Sequence, residues 1–234
     1  YNIYQIMCGI FGSNDFKRYV KLYDQNKKRG NFSFGGLFID RKMHAIVKTP
    51  GTIVLNKNLE LKYKKKKKAI TTFNIFLGHT QAPTSSRRTA SQDVIHPFIC
   101  GDWNVAHNGV LTNDKMLKKG LAKSYYNEVD SSVIPGLLHV CDRTTKKKDE
   151  IFCICRVLSK LEGTFGLWIF NAVTQNVYLA RSGSTLYADI LTNDFSSLPN
   201  KGFELLKEGT LYLLTTEGVT VVGEFKPNSP FFSS

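Results

Sequence analysis

The sequence is poor in several features that would have pointed elsewhere. Nowhere in its 234 residues does an apolar run approach the roughly 20 residues that a helix needs to span a bilayer. The first residues carry neither a basic start nor a long apolar stretch, so no secretory signal is expected and a cytoplasmic, reducing setting is. Cysteines are few and odd in number (Cys8, Cys100, Cys141, Cys153, Cys155), and none form a CxxC pair. That pattern argues against a disulfide framework and against a zinc site, and no metal or cofactor is expected. Cys153 and Cys155 flank Ile154 in the apolar run IFCICRVL and read as core residues. Acidic residues are outnumbered by basic ones, 19 against 32, for a formal charge of +13. Such an excess can draw polyanions. Much of it, however, sits in two short blocks, Lys62-Tyr63-Lys64 through Lys68 and Lys146-Lys147-Lys148. These lack the aromatic and glycine pattern of an RNA-recognition sheet and read as solvated lysine faces.

What is present is the composition of a soluble globular chain, 42% hydrophobic and 22% charged, long enough to bury one core. Short apolar strands are expected at CGIFGS, GGLFIDRKMHAIVKT (with a turn at Asp40-Arg41-Lys42), NIFLGHT, WNVAHNG, GTFGLWIF, NVYLARS, TLYLLTT and VTVVGEF. Helical spacing of Phe16, Val20 and Tyr23 predicts a first helix. Asn113 and Asp130 can cap two more, and KDEIFCICRVLSKL reads as another. Pro135 falls in the first turns of its helix, where a missing N–H costs little, and the tail after Phe225 reads as a loose end. With no internal repeat, no linker and no regular βαβ alternation, an antiparallel α+β layered fold is expected.

Six stretches carry chemistry together, in order: MCGIFG at Cys8, RGNFSFGG at Arg29, GHTQAPTSSRR at Gly78, VAHNGVLTN at Val105, VDSSVI at Asp130 and LARSGSTLY at Leu179. In this arrangement residues 8–234 resemble the glutaminase domain of the class II, N-terminal-nucleophile glutamine amidotransferases. The resemblance implies a four-layer αββα sandwich of two antiparallel sheets. It also implies hydrolysis of the side-chain amide of glutamine through a γ-glutamyl thioester, with ammonia passed to a separate synthase-type partner. A stand-alone domain of this kind resembles compact viral or phage-type versions, which would place it in a host cytoplasm.

Carboxamide hydrolysis needs a nucleophile, a base and donors for the developing oxyanion. A thiol with a pKa of about 8.5 is only partly ionised at neutral pH, and an α-amine of pKa about 8 can take its proton when both belong to one residue. The resemblance gives that double role to Cys8, and the oxyanion donors to Asn108 and Gly109; alone, Asn108-Gly109 would read as a hairpin turn. It makes Asp130 the partner of the substrate amine, a use compatible with capping a helix. It places Thr84 in the glutamine site, and Arg29 with Gly30 beside the nucleophile, where Arg29 could otherwise be a surface charge ending a helix. Ser33 follows at the expected place. His107 reads as a neighbour shaping the turn, and His96 in HPF as a structural step.

The chain departs from the family pattern at Gln81, where an arginine usually pairs with the substrate carboxylate. A bidentate ion pair is thereby lost, and Arg87 or Arg88 either restores it or is a plain loop arginine. Gln81 also supports a runner-up reading, a regulatory or binding module of the same fold that lost activity. A basic nucleic-acid-associated protein stands third. Residues 1–7 conflict with an N-terminal nucleophile, so they are expected to be a leader, pro-segment or upstream extension. Initiation at Met7 or cleavage at Met7-Cys8 would remove them.

Overall fold

A computed structural model describes residues 8–41, 43–63, 66–82, 91–145 and 149–228. Tyr1 to Met7, Thr84, Arg87, Arg88 and Lys146 to Lys148 therefore lie outside the described residues.

In chain order the elements are β1 (Gly9–Ser13), α1 (Phe16–Asn26), β2 (Ser33–Asp40), β3 (Met43–Pro50), β4 (Glu60–Tyr63), β5 (Lys66–Ala69), β6 (Ile75–Gln81), β7 (Phe98–Cys100) and β8 (Trp103–Leu111). There follow α2 (Asp114–Lys118), α3 (Val133–Thr144), α4 (Glu150–Leu158), β9 (Gly163–Asn171), β10 (Val177–Ser182), β11 (Tyr187–Asp189), β12 (Asp194–Ser196), β13 (Glu204–Leu205), β14 (Thr210–Thr215) and β15 (Gly218–Glu224). Among the described residues, one sheet runs β13, β11, β12, β1, β6, β2, β3 and the other β15, β14, β10, β9, β8, β7. Within both sheets the named strands pair antiparallel.

The period-2 alternation of each strand sorts its side chains between two cores. On β1, Ile10 enters the core between the sheets, whereas Phe11 faces the layer with α1. On β8 and β9, Ala106, Trp168 and Phe170 point between the sheets, while Val105, Leu167 and Ile169 pack under α3 and α4. This is the expected αββα sandwich, with one outer layer reduced to α1 and a two-stranded ribbon of β4 and β5. Burying a side chain such as Ile10, Leu77 or Phe170 contributes on the order of 1.5–3 kcal/mol, so both sheets are held firmly about their shared core.

Several local expectations are corrected. In α1, capped by Asp15 through Arg18 N–H at 2.8 Å, the fully buried stripe is Tyr19, Leu22, Tyr23 and Asn26, with Phe16 and Val20 only partly covered. Asn113 does not cap α2 with its side chain; it accepts from Glu162 N–H and donates to the Lys160 carbonyl, tying α2 to the start of β9. Asp130 opens a 3-10 turn before α3 rather than capping it. Of the tail after Phe225 only Lys226 to Asn228 are described, and there Asn228 is held, its amide reaching the Ser159 carbonyl at 2.7 Å, while residues 229–234 lie outside the described residues. The lysine block runs through β4 and β5, with the exposed Lys67 paired to Glu60, as a solvated face would have it, whereas the half-buried Lys68 is paired to Asp40 and lies over Phe73.

Candidate active site

The site lies where β1 begins. Cys8 is half-buried immediately before Gly9, and Gly9 pairs with Thr80, so the sulfur sits beside the end of β6. Burial pushes the Cys8 thiol pKa up, the Ala82 N–H facing the sulfur pulls it down, the Asp130 carboxylate raises it and the Arg29 guanidinium lowers it; burial prevails. Both charges, predicted from separate motifs, thus lie within electrostatic reach of the sulfur.

Arg29 follows the end of α1, half-buried, with Nη1 donating to the Ser197 carbonyl at 3.1 Å. Gly30 is the only residue type that fits next to it: a Cβ there would lie 2.4 Å from the Gln81 carbonyl carbon and 2.5 Å from the Ala82 nitrogen. That approach is what lets the Arg29 segment close over the end of β6.

On the second sheet, Asn108 is buried and its Nδ2 donates to Ser197 Oγ at 3.1 Å. Gly109 has φ of +150°, a region that side chains strain to enter, and an added Cβ would sit 2.1 Å from the Thr164 carbonyl oxygen. The Asn108-Gly109 pair therefore lies within β8, opposite Gly166 and Phe165, and not in a hairpin turn. Gly109→Ala is expected to destabilise the fold by at least about 2 kcal/mol. A urea midpoint equal to that of the parent would refute this account of Gly109.

Asp130 is held from both sides. Its Oδ2 accepts from Leu111 N–H at 2.9 Å, and Oδ1 from Ser131 N–H at 2.8 Å. His107 is locked next to it: Nε2 faces the Thr164 carbonyl at 3.1 Å and Nδ1 faces Ser131 Oγ at 2.8 Å. Because a carbonyl only accepts, Nε2 carries the proton, and burial lowers the His107 pKa so that the ring stays neutral. His79 is similarly buried, with its pKa driven down to about 3. The two rings are linked through the backbone, His79 Nε2 facing the His107 carbonyl at 3.1 Å.

Gln81 is almost fully buried at 2% exposure, and its Oε1 accepts from Ser33 Oγ at 2.9 Å. The side chain that replaces the family's usual arginine is thus engaged with β2. Sequence reading placed Cys8, Arg29, Asn108, Gly109 and Asp130, which the fold gathers at one end of the sandwich. It missed Ser197 and Ser131. Ser197 is 89 residues from Asn108, in a stretch, SSLP, with no distinguishing pattern.

No protein-family model matches the chain. Glutamine–fructose-6-phosphate aminotransferase (isomerizing) of Buchnera aphidicola is 28% identical over 240 residues, 95% of this chain and 38% of that protein. The enzyme of the same name from Zymomonas mobilis is 33% identical over 63% of this chain and 26% of its own length. The one from Methanococcus maripaludis is 31% identical over 70% and 28%. The chain thus spans well under half the length of these curated relatives. Among solved structures, the allosteric regulatory enzyme of purine biosynthesis superposes with a TM-score of 0.71 at 17% identity, over 94% of this chain and 49% of that one. A glutamine aminotransferase class-II domain protein from Silicibacter pomeroyi gives 0.56 at 14%, over 94% and 100%. The fold is the N-terminal-nucleophile hydrolase sandwich of two antiparallel sheets. Within that class, the chain belongs with the glutaminase domains of the class II glutamine amidotransferases. The viral or phage-type expectation finds no support in these relatives. Among the described residues no helix is long and apolar enough to cross a membrane.

Proposed function

We propose that this domain hydrolyses the side-chain amide of glutamine to glutamate and ammonia, with Cys8 as nucleophile once its α-amine is free. The observation that carries this reading is the gathering of Cys8, Asn108, Gly109 and Asp130 at one end of two sheets, from segments far apart in the chain. In the proposed reaction the Cys8 amine takes the thiol proton and the sulfur attacks the amide carbon. Asn108 Nδ2 and Gly109 N–H hold the oxyanion, and collapse expels ammonia with the proton returned to it. Water then cleaves the thioester to release glutamate. Arg29 lies beside the nucleophile, its positive charge favouring the thiolate, while Asp130 receives the substrate α-ammonium. With Gln81 held by Ser33, the substrate carboxylate falls to Arg87 or Arg88, and Thr84 lines the same pocket. Ammonia passes to a separate synthase-type partner; the curated relatives, whose names specify fructose 6-phosphate, are longer chains.

The roles separate kinetically. Asn108→Ala is expected to lower kcat for glutamine by roughly 10²-fold or more with a smaller change in KM, whereas Asp130→Asn acts mainly on KM. Steady-state ammonia release measures both, and the reversed pattern would overturn the two assignments.

The buried, neutral Gln81 favours a second reading, a catalytically impaired regulatory module. A chain starting at Cys8 that releases no ammonia from glutamine would select it.

A further inference from the structure

We infer that Ser197 is a positioning residue that sets the face of the Asn108 amide and locks it to the strand carrying Cys8. The inference rests on the glutaminase reading above and extends it to a residue with no part in that reading's chemistry.

Ser197 lies one residue past the end of β12, 1% exposed. Its backbone N–H donates to the Ile10 carbonyl at 2.8 Å, and its Oγ accepts from Ile10 N–H at 3.0 Å. The same Oγ accepts from Asn108 Nδ2 at 3.1 Å. Its carbonyl accepts from Arg29 Nη1 at 3.1 Å and from Thr185 Oγ1 at 2.9 Å. One side chain thus joins the first sheet, two residues from Cys8, to the oxyanion residue of the second sheet, and its backbone holds the cation near the sulfur.

The consequence follows from counting lone pairs. A hydroxyl oxygen has two, and here Ile10 N–H and Asn108 Nδ2–H occupy both. In the structure Ser197 Oγ faces the NH2 end of the Asn108 amide as an acceptor, with Oδ1 turned away, and Ile10 N–H on its other lone pair keeps the oxygen fixed there. An amide group carries two N–H hydrogens; one is spent on Ser197, and the second is fixed in direction for the oxyanion. Without that acceptor the amide can rotate by half a turn and present a carbonyl oxygen where negative charge develops, which would repel it. The buried Ile10 N–H would also lose its partner, an added stability cost that alone would not alter the chemical step selectively.

Two measurements on the chain beginning at Cys8 test this. In a double-mutant cycle on glutamine hydrolysis, Ser197→Ala is expected to lower kcat by about 10- to 100-fold with KM changed less than about threefold. In the Asn108→Ala background the same change is expected to cost less than about twofold in kcat, because the group it positions is gone. Full additivity would overturn the inference. The second measurement needs neither a variant nor activity: in the parent protein, the two side-chain amide hydrogens of Asn108 are followed by nitrogen-15 NMR hydrogen exchange. One is expected to exchange at least about tenfold more slowly than the other, and equal rates would overturn the inference even if Ser197→Ala fails to fold. Absence of glutamine hydrolysis in the parent would sink the glutaminase reading instead, and the exchange result would still stand on its own.

Discussion

Cys8→Ala, made in a chain that begins at residue 8, is expected to reduce ammonia release from glutamine by more than roughly 10⁴-fold, the scale seen when a covalent nucleophile is removed. The reason is chemical: alanine keeps Cβ and the α-amine but supplies no atom to form the thioester. The fold is expected to survive. Cys8 is half-buried, takes part in no disulfide, and precedes the first strand, so losing its sulfur costs on the order of 1 kcal/mol or less. Circular dichroism and a urea midpoint near the parent's would show that activity was lost without unfolding. An electrophilic glutamine analogue is expected to label Cys8 alone. Cys100, Cys141 and Cys153 are buried, and burial raises the thiol pKa of Cys100, Cys153 and the half-buried Cys155. Ammonia release at the parent rate from Cys8→Ala would remove Cys8 from the mechanism.

The second large effect concerns the residue before it. When Met7 is attached, the Cys8 nitrogen is an amide whose lone pair is delocalised into the peptide bond, and it cannot accept a proton. The thiol then depends on its surroundings, and these work against ionisation. Burial raises its pKa, the Asp130 charge adds to that, and the Ala82 N–H and the Arg29 charge only partly offset it. At neutral pH the uncleaved form therefore holds little thiolate. The 234-residue chain, verified intact by mass, is expected to show less than about 1% of the activity of a chain starting at Cys8. Alkylation of Cys8 in the intact chain is expected to accelerate with pH, with a midpoint above the ordinary thiol value, since a raised pKa keeps the unreactive neutral form to higher pH. Equal activity in the two forms would rule out the free amine as base, and an alkylation midpoint below the ordinary value would contradict the burial argument.

How legible these features were depends on how far apart their causes lie in the chain. The strand that follows Cys8 and those carrying Gln81 and Asn108 announce themselves as short apolar runs, because a strand covered on both faces reads as a near-continuous hydrophobic stretch. The helix over residues 150–158 was readable for the same kind of reason, with Asp149 in place to cap it through Phe152 N–H. The short strands β7, β11, β12 and β13, of two or three residues each, were not. Segments so brief show no period, and they are strands only because a neighbouring edge offers hydrogen bonds. The capping roles expected of Asn113 and Asp130 failed because tertiary partners took their side chains: the turn before β9 for Asn113, and the Leu111 and Ser131 N–H groups for Asp130.

By itself the sequence determined the layered α+β class and supplied the candidates for the reacting groups. Apolar runs are local, and the order of the Cys, Asn-Gly and Asp motifs along the chain carries the family resemblance that names those candidates. Only the tertiary structure decided how those groups are oriented. It brought Ser197 against Ile10 and Asn108 across separations of 187 and 89 residues, engaged Gln81 with Ser33, and stabilised His107 as a neutral ring between Thr164 and Ser131. A hydrogen bond acts over about 3 Å, and which atoms come within that distance is settled by the packing of two sheets, a property of the whole chain and of no single stretch of it.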